Sequence, residues 1–597
     1  MKKEKNSLVQ KGLLLSLFLI SLLAVFKFSS GTYFQASIVN VINSNTAQTN
    51  SEKIYFVDAE NGDDSKDGQS ASSAWKTLSY SLGNLNPGDT LEIMAGNYFP
   101  TSKLRIARSG EEGKYITIKN HAEDRVIING EAIEDSGGLI TIDQKSYIKV
   151  QGLDFTAFSG NWKNLIEIIN GSHHIGISNC NFYGTQSFPD TNGEYDGTHA
   201  IYISSDKGGG DISITNNEFM SLLGSDPDTP SNAKAINVSG RGNTEETKLS
   251  NIVIANNKLD NIAPANSEAI TIAGNVDGFL VENNTISNVN NIGIDLAGNY
   301  SWHSPNPELN QARNGVVKNN TVAKANSISG DGFAAGIYVD GGKNITVENN
   351  KVTQCDVGFS INAEQPGIVS GIVLRNNLAF LNQKAGIRFG ANGDENKVVS
   401  DCQILNNTSF NNDILGKGFG QLWVEVAKNC TVENNIFYSS IDARLLNSWE
   451  ENKDNQNSLD YNLWFYDAVV PHPDNPFVWS STSYSDFSSY QAGTEFGKNS
   501  IYLEDPKEKI FVDITKLDLR LADTSVAIDA GDPSFTPGNG EVDANARNRV
   551  ENNRVDMGAY EYSHSANNPA IQSNDANRDK RKFQRRRRRR RVPPSTL

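Results

Sequence analysis

Between Gly336 and Asn350 the chain reads Gly-Ile-Tyr-Val-Asp-Gly-Gly-Lys-Asn-Ile-Thr-Val-Glu-Asn-Asn. Apolar and polar positions alternate at Ile337/Val339 and again at Ile345/Val347, with a glycine corner between the runs and an Asn pair after them. Successive side chains of a strand point to opposite faces, so the pattern predicts short strands with one inward apolar row each. The closing pair recurs, its first Asn at Asn216, Asn256, Asn283, Asn319, Asn349, Asn376, Asn406 and Asn434, with spacings of 40, 27, 36, 30, 27, 30 and 28 residues. A minimum near 27 with longer gaps predicts a fixed unit that carries insertions, which is a solenoid.

Strands this short cannot bury an apolar row alone, whereas stacked units share one continuous core and pair in parallel roughly 4.8 Å apart. The first Asn of each pair belongs at a corner, because Asn tolerates left-handed backbone, and its amide can bond the next Asn in the stack. That reading outweighs glycosylation at Asn283-Asn284-Thr285 or Asn319-Asn320-Thr321. The repeat resembles the right-handed parallel β-helix proteins, the superfamily of pectate lyases and many secreted polysaccharide-active enzymes. The resemblance implies an all-β, right-handed parallel β-helix solenoid with a cap segment at each end.

The chain divides accordingly. Lys2, Lys3, Lys5 and Lys11 precede the apolar run Leu13–Phe26, which is short for a membrane span and is followed by Ser29, Ser30 and Gly31. Residues 1–31 therefore read as a secretory signal peptide, with an uncleaved anchor as the alternative. Residues 32–52 read as a disordered lead-in. Gly62–Gly68, Ala74–Leu78 and Pro87–Leu91 resemble the opening of secreted β-helix proteins, so 53–135 are assigned to the N-terminal cap and first coils, with a short plugging helix around Ser79–Leu85. The β-helix follows over 136–465. Residues 466–562 are assigned to C-terminal coils and cap, because Ala527–Gly531 and Asp556–Tyr562 resemble the ending of many bacterial secreted β-helix proteins. Residues 563–597 form a disordered basic tail, almost pure Arg from Arg585 to Arg591. Such a run suits an acidic polymer or surface, or is a reading-frame or cloning artefact.

Composition sharpens this picture. The net charge is −16 in spite of the basic tail, and only 37% of 597 residues are hydrophobic, with 50 Gly. A thin core per coil is enough for a solenoid, and an acidic body argues against a nucleic-acid partner. Four Cys in no close pairing give no zinc spacing, and the glycines sit at coil corners rather than in a phosphate loop. A monomer with no membrane contact beyond the leader is expected.

Insertions crowd one strand. Taking Gly-Ile-x-Val as the reference, the loops 182–198, 220–233 and 323–334 lead into it and 297–313 leaves it. Solenoid insertions gather on the binding face. The outward positions of that strand run Tyr202, Asn237, Thr271, Asp295, Tyr338, Ser360, Arg388 and Trp423, and two residues on Ser204, Ser239, Ala273, Ala297, Asp340, Asn362, Gly390 and Glu425. Aromatics, carboxylates and an Arg in register predict a sugar-binding groove, with Tyr202, Tyr338, Trp423, Glu425, Tyr300 and His303 as substrate contacts. A plain polar sheet face is the rival reading.

The resemblance also suggests chemistry. Ala385-Gly-Ile-Arg-Phe-Gly390 is similar to the strand that carries the basic residue in one branch of the pectate lyases, which places Arg388 in a catalytic role. Calcium is the cofactor that branch implies, yet Val357 and Ser360 stand where it carries calcium-binding acids. Asp295 and Asp340, with Tyr300 and His303 in the adjoining loop, form the alternative acid/base set. No metal ligand is assigned: Asp226-Pro-Asp228 and Asp190…Glu194-Tyr-Asp196 offer oxygens but read as solvated turns, and His173-His174 reads as a turn. The function predicted is action on an acidic, uronate-containing polysaccharide by β-elimination. The alternative is a non-catalytic carbohydrate-binding or adhesion solenoid.

One structural expectation tests the register. Cys402 and Cys430 each stand four residues before the first Asn of a pair, where other coils hold Ile212, Ile252, Phe279, Gly315, Ile345 and Ile372. They are expected to stack in adjacent coils, within the span a disulfide accepts, although buried Cys also serves as a small apolar filler.

Overall fold

A computed structural model describes residues 52–187, 197–224, 232–452, 455–467, 469, 473–552 and 554–563. The signal-peptide segment, all but the end of the lead-in, the acidic stretches at 190–196 and 226–228, and the tail from 564 onward lie outside the described residues.

Each coil contributes three strands, as in Ala335–Asp340, Lys343–Glu348 and Lys351–Thr353. The third is the least visible in the sequence, because it holds one inward residue, Val352. Coils stack into sheets of 16, 14 and 14 strands, parallel except where Phe477–Trp479 pairs antiparallel with Thr482–Tyr484 at the end of one of them. Register is set by inward apolar rows: Ile212 pairs with Ile252, then Phe279, Gly315 and Ile345 in turn. Slipping by one residue would turn every inward side chain outward. At Gly315 the row needs no side chain, since a Cβ there would lie 2.1 Å from the Phe279 ring.

The two Asn of each pair divide the work assigned to the first alone. The first adopts φ between 54° and 60° in all eight coils, turning the corner in the left-handed region. The second is the one that stacks. Asn320, fully buried, donates from its backbone N to Asn350 Oδ1 at 2.9 Å and from Nδ2 to the same oxygen at 3.0 Å and to Val281 O at 2.9 Å. The same bonds link Asn217, Asn257, Asn284, Asn350, Asn377, Asn407, Asn435 and Asn462. Each link satisfies a buried backbone N–H that the corner would otherwise orphan.

Cys402 and Cys430 stand in adjacent coils, with Gln403 paired to Thr431 and Thr431 N donating to Cys402 O at 2.9 Å. Both are buried free thiols, and each donates to the carbonyl two residues back, Cys402 to Ser400 O at 3.2 Å and Cys430 to Lys428 O at 3.3 Å.

Both ends of the core carry a short helix. Leu78–Asn84, capped by Thr77, sends Leu78 and Leu82 against the first coil, where Trp75 stacks on Tyr55 at 4.5 Å. At the other end, Phe487–Thr494 sets Phe487 and Tyr490 on Phe477, with ring centroids 5.6 and 5.0 Å apart. The Asp556–Tyr562 motif, expected in the terminal cap, lies instead along the outside of the third sheet. There Met557 and Ala559 pack with Phe410, Ile436 and Tyr438, and Gly558 N donates to Asn434 O at 2.7 Å. An Arg375–Glu541 pair at 2.7 Å fastens the same strap.

Candidate functional site

The outward row of the Gly-Ile-x-Val sheet forms as the alternation predicts: Tyr202, Asn237, Thr271, Asp295, Tyr338, Ser360, Arg388 and Trp423 are consecutive partners. What the alternation does not predict is their burial. All six residues of Ala335–Asp340 are buried, inward and outward alike. Two insertions roof the row and leave a cleft of about 420 Å³ between them.

The first roof is the loop after Ile292–Ala297. Gly298 N donates to Asp340 O at 2.7 Å and Asn310 Nδ2 to Tyr300 O at 2.8 Å, while His303 Nδ1 meets Ser239 Oγ at 2.8 Å. These contacts drop the Tyr300 phenol onto Asp340. The second roof is the loop 326–334. The Asp356 carboxylate accepts from Ser327 N at 2.9 Å and Ala334 N at 3.3 Å. Lys384 donates to the carbonyls of Gly330 and Gly332 and pairs with Asp356 at 3.6 Å, both side chains being 2% exposed. This buried clamp seats Phe333 on Trp423 and Phe419, with centroids 5.1 and 5.2 Å apart.

Five residues singled out from the sequence share the cleft wall: Asp295, Asp340, Tyr300, Tyr338 and Arg388. Trp423 and Glu425 stand behind Arg388 instead. Glu425 takes Arg388 Nη2 at 2.8 Å and Nε at 3.0 Å, and the guanidinium lies 4.4 Å from the Trp423 ring centroid. His303 is half-buried outside the wall, and its pKa is pushed down to about 4 by desolvation and then by Arg241 and Lys234. Tyr202 lies in an earlier coil, packed on Trp162 at 5.2 Å and accepting from Arg241 at 3.3 Å. Sequence reasoning missed Glu268, Glu364 and Lys397, which also line the cleft. Each falls at a strand start or in a corner loop, where alternation assigns no face. The one available signal is that Glu364 stands two residues past Asn362 in the outward row.

The centre of the site is a group of carboxyls. Tyr300 Oη lies 2.5 Å from Asp340 Oδ2 and 3.1 Å from Glu364 Oε2, and Tyr338 Oη lies 3.1 Å from Glu364 Oε1. A phenol has one proton to give, so both Tyr300 contacts are hydrogen bonds only when a carboxyl supplies a second proton. Asp340 is that carboxyl: burial, then the neighbouring Glu364, raises its pKa to about 8. Asp295 is raised well above the usual range by burial and by Glu268, Asp340 and Glu364, and its buried Oδ1 has no hydrogen-bond partner. Burial and the same carboxylates also raise Tyr300 and Tyr338. The arrangement can store protons at neutral pH, give one through a phenol, and hold an anion at Arg388 and Lys397.

A family model described as the right handed beta helix region matches residues 164–368 and 309–452. "Uncharacterized protein YwoF" of Bacillus subtilis (strain 168) is 29% identical over 466 residues, covering 75% of this chain and 88% of the relative. Solved structures similar to it include a mannuronic acid specific family 6 polysaccharide lyase from human gut microbiota, at 14% identity and TM-score 0.44, covering 72% of this chain and 89% of that one. An alginate lyase from Paenibacillus sp. str. FPU-7 shows 18% identity and TM-score 0.38 over 53% of this chain and 96% of that one. A lacto-N-biosidase from Eubacterium ramulus shows 13% identity and TM-score 0.37 over 76% and 67%. With three sheets of stacked coils about one core and the matched repeat across its middle, the chain has the fold of a right-handed parallel β-helix.

Proposed function

We propose that this protein degrades a uronate-containing polysaccharide by β-elimination in the cleft over Asp295 and Asp340. The observation that carries the reading is the pairing of cations with proton-holding acids on one wall. With Asp340 neutral, the wall carries less negative charge against an anionic sugar, and Arg388 and Lys397 face it. Nη1 of Arg388 is left for a ligand, since Nε and Nη2 serve Glu425. Both cations neutralise the uronate carboxylate and so acidify the adjacent C5–H. Asp295 acts as the base once its own proton has passed to solvent on sugar binding beside the two cations. It then takes the C5 proton on Oδ1, the oxygen that has no hydrogen-bond partner to weaken it as an acceptor. The electron pair forms the C4–C5 double bond, the C4–O bond breaks, and Asp340 returns a proton to the leaving oxygen through Tyr300. No water is added.

Glycoside hydrolysis is the second reading, favoured by the surplus of carboxyls and the raised pKa of Asp340, which also suit a general acid beside a carboxylate base. Incubation with pectate, alginate and glycosaminoglycans separates the two. Ultraviolet absorbance of an unsaturated uronate supports elimination; reducing ends without that absorbance support hydrolysis; binding with neither would leave an adhesion solenoid.

Calcium enters no step. The cation takes six to eight oxygens, both Asp340 oxygens are already engaged, and among the described residues no three acidic or histidine side chains are grouped to hold an ion. A chelator is therefore expected to leave turnover unchanged. Among the described residues no helix is long and apolar enough to cross a membrane. The same reading makes the protein a secreted monomer, tested by recovery from the culture medium with a cleaved leader.

A further inference from the structure

Two exposed tryptophans stand on the cleft face, one to either side of the cleft along the helix axis. Trp302, 64% exposed, belongs to the first roof loop and rests on Tyr300 at 4.7 Å and on His303 at 6.1 Å. Its place along the axis is fixed by its neighbours: His303 bonds Ser239 and presses on Gly274, where an added Cβ would lie 2.8 Å from His303 Cβ. Trp449, 45% exposed, lies on the other side. Asn447 is the partner of Trp423 in the outward row, so Trp449 continues the second outward row through Asp340, Asn362, Gly390 and Glu425. Its ring is braced by the Arg444 guanidinium at 4.9 Å, which is tied in turn to Gly418 O at 2.9 Å. From the coils of Gly274 and Ser239, which fix the Trp302 level, to the Trp449 level is six to seven coil steps of roughly 4.8 Å, about 29–34 Å. Asn392 lines the intervening cleft, and Glu450 stands beside Gly393 on the way to Trp449.

We infer that Trp302 and Trp449 are sugar-stacking platforms at the two ends of one binding path along the helix axis, so that the enzyme seizes the interior of a polymer. A large rigid ring that is braced from one side yet left in water loses little entropy on binding and offers a flat apolar surface to the C–H face of a pyranose. Neither tryptophan fills the core, and the acid and cation groups lie between them. This inference rests on the glycan reading above but not on the type of bond cleavage. The occupant is a chain of several sugar rings, longer than the central cleft can hold.

The test uses the full protein with size-fractionated oligomers of polygalacturonate and of alginate, read by calorimetric binding and by product size. Wild-type affinity is expected to rise with chain length until both platforms are covered, and early products from polymer to be mid-sized. Trp302→Ala and Trp449→Ala are each expected to weaken long-oligomer binding by about tenfold, while short oligomers bind as before. Equal losses for short and long oligomers, or none, would overturn the path, as would release of only mono- or disaccharides from the start. Length-dependent binding without any product keeps the path and sinks the catalytic reading. Product without length dependence sinks the path alone. No binding of any probe overturns both, and unchanged thermal unfolding of each variant excludes misfolding as the cause.

Discussion

The corner stack of asparagines and the cleft carboxyls are both rows of polar side chains buried in a β-helix, and they are arranged in opposite ways. In the stack each amide oxygen meets donors from the preceding coil, so burial strengthens a satisfied network. In the cleft Asp295 Oδ1 has no partner, and Asp340 faces Glu364 through one phenol. Buried polar groups with partners hold the coils together; buried polar groups short of partners and protons are costly to the fold, and that cost is characteristic of a reactive site.

The largest expected effect breaks the satisfied side. Asn320→Ala removes the acceptor of Asn284 N and Nδ2 and the donor to Val281 O. It should cost about 3 kcal/mol or more in denaturant unfolding, with turnover of the folded fraction unchanged. In the cleft, Arg388→Ala should lower turnover of the folded fraction by roughly 10²-fold or more. It should also cost about 3 kcal/mol in unfolding, because Glu425 is left buried without its cation, and Arg388→Lys should recover part of both. Unaltered turnover would move the catalytic burden to Asp295 and Asp340 alone. A smaller effect follows from the roof clamp. Lys384→Met frees Gly330, Gly332 and Asp356, so it should raise KM by about tenfold through a displaced Phe333, with partial rescue by Lys384→Arg. Asn319→Gly should be smallest, within a few tenths of a kcal/mol, because the corner needs only the left-handed backbone that glycine adopts freely. A large loss there would mean that the first Asn also holds the stack.

Much of this was legible in the sequence. Period-two alternation and the Asn spacing give the coils, their register and the outward row, because each follows from local chemistry repeated eight times. Asp295, Asp340, Tyr338 and Arg388 come from that row directly. Alternation is blind to what lies above a sheet, so it does not tell that Trp423 and Glu425 stand behind Arg388 or that two loops roof the row. It also assigns no face to strand ends, which is why Glu268, Glu364 and Lys397 went unnoticed. The division of labour between the two Asn was hidden for another reason. Both are the same residue type, and only backbone conformation separates a corner from a stack.

The central claim is that the cleft keeps Asp340 protonated at a cost to stability, and unfolding free energy against pH tests it most directly. Asp340 has a folded pKa of about 8 against an ordinary 3.8. Between those values the folded protein holds a proton that the unfolded chain has lost, so stability must fall as pH rises through that window. The loss should be on the order of a few kcal/mol between about pH 4 and about pH 8. In Asp340→Asn that part of the slope should vanish, leaving the variant more stable than wild type at alkaline pH and without turnover. Identical pH profiles for the two proteins, or an Asp340→Asn variant that is less stable at about pH 9, would contradict it.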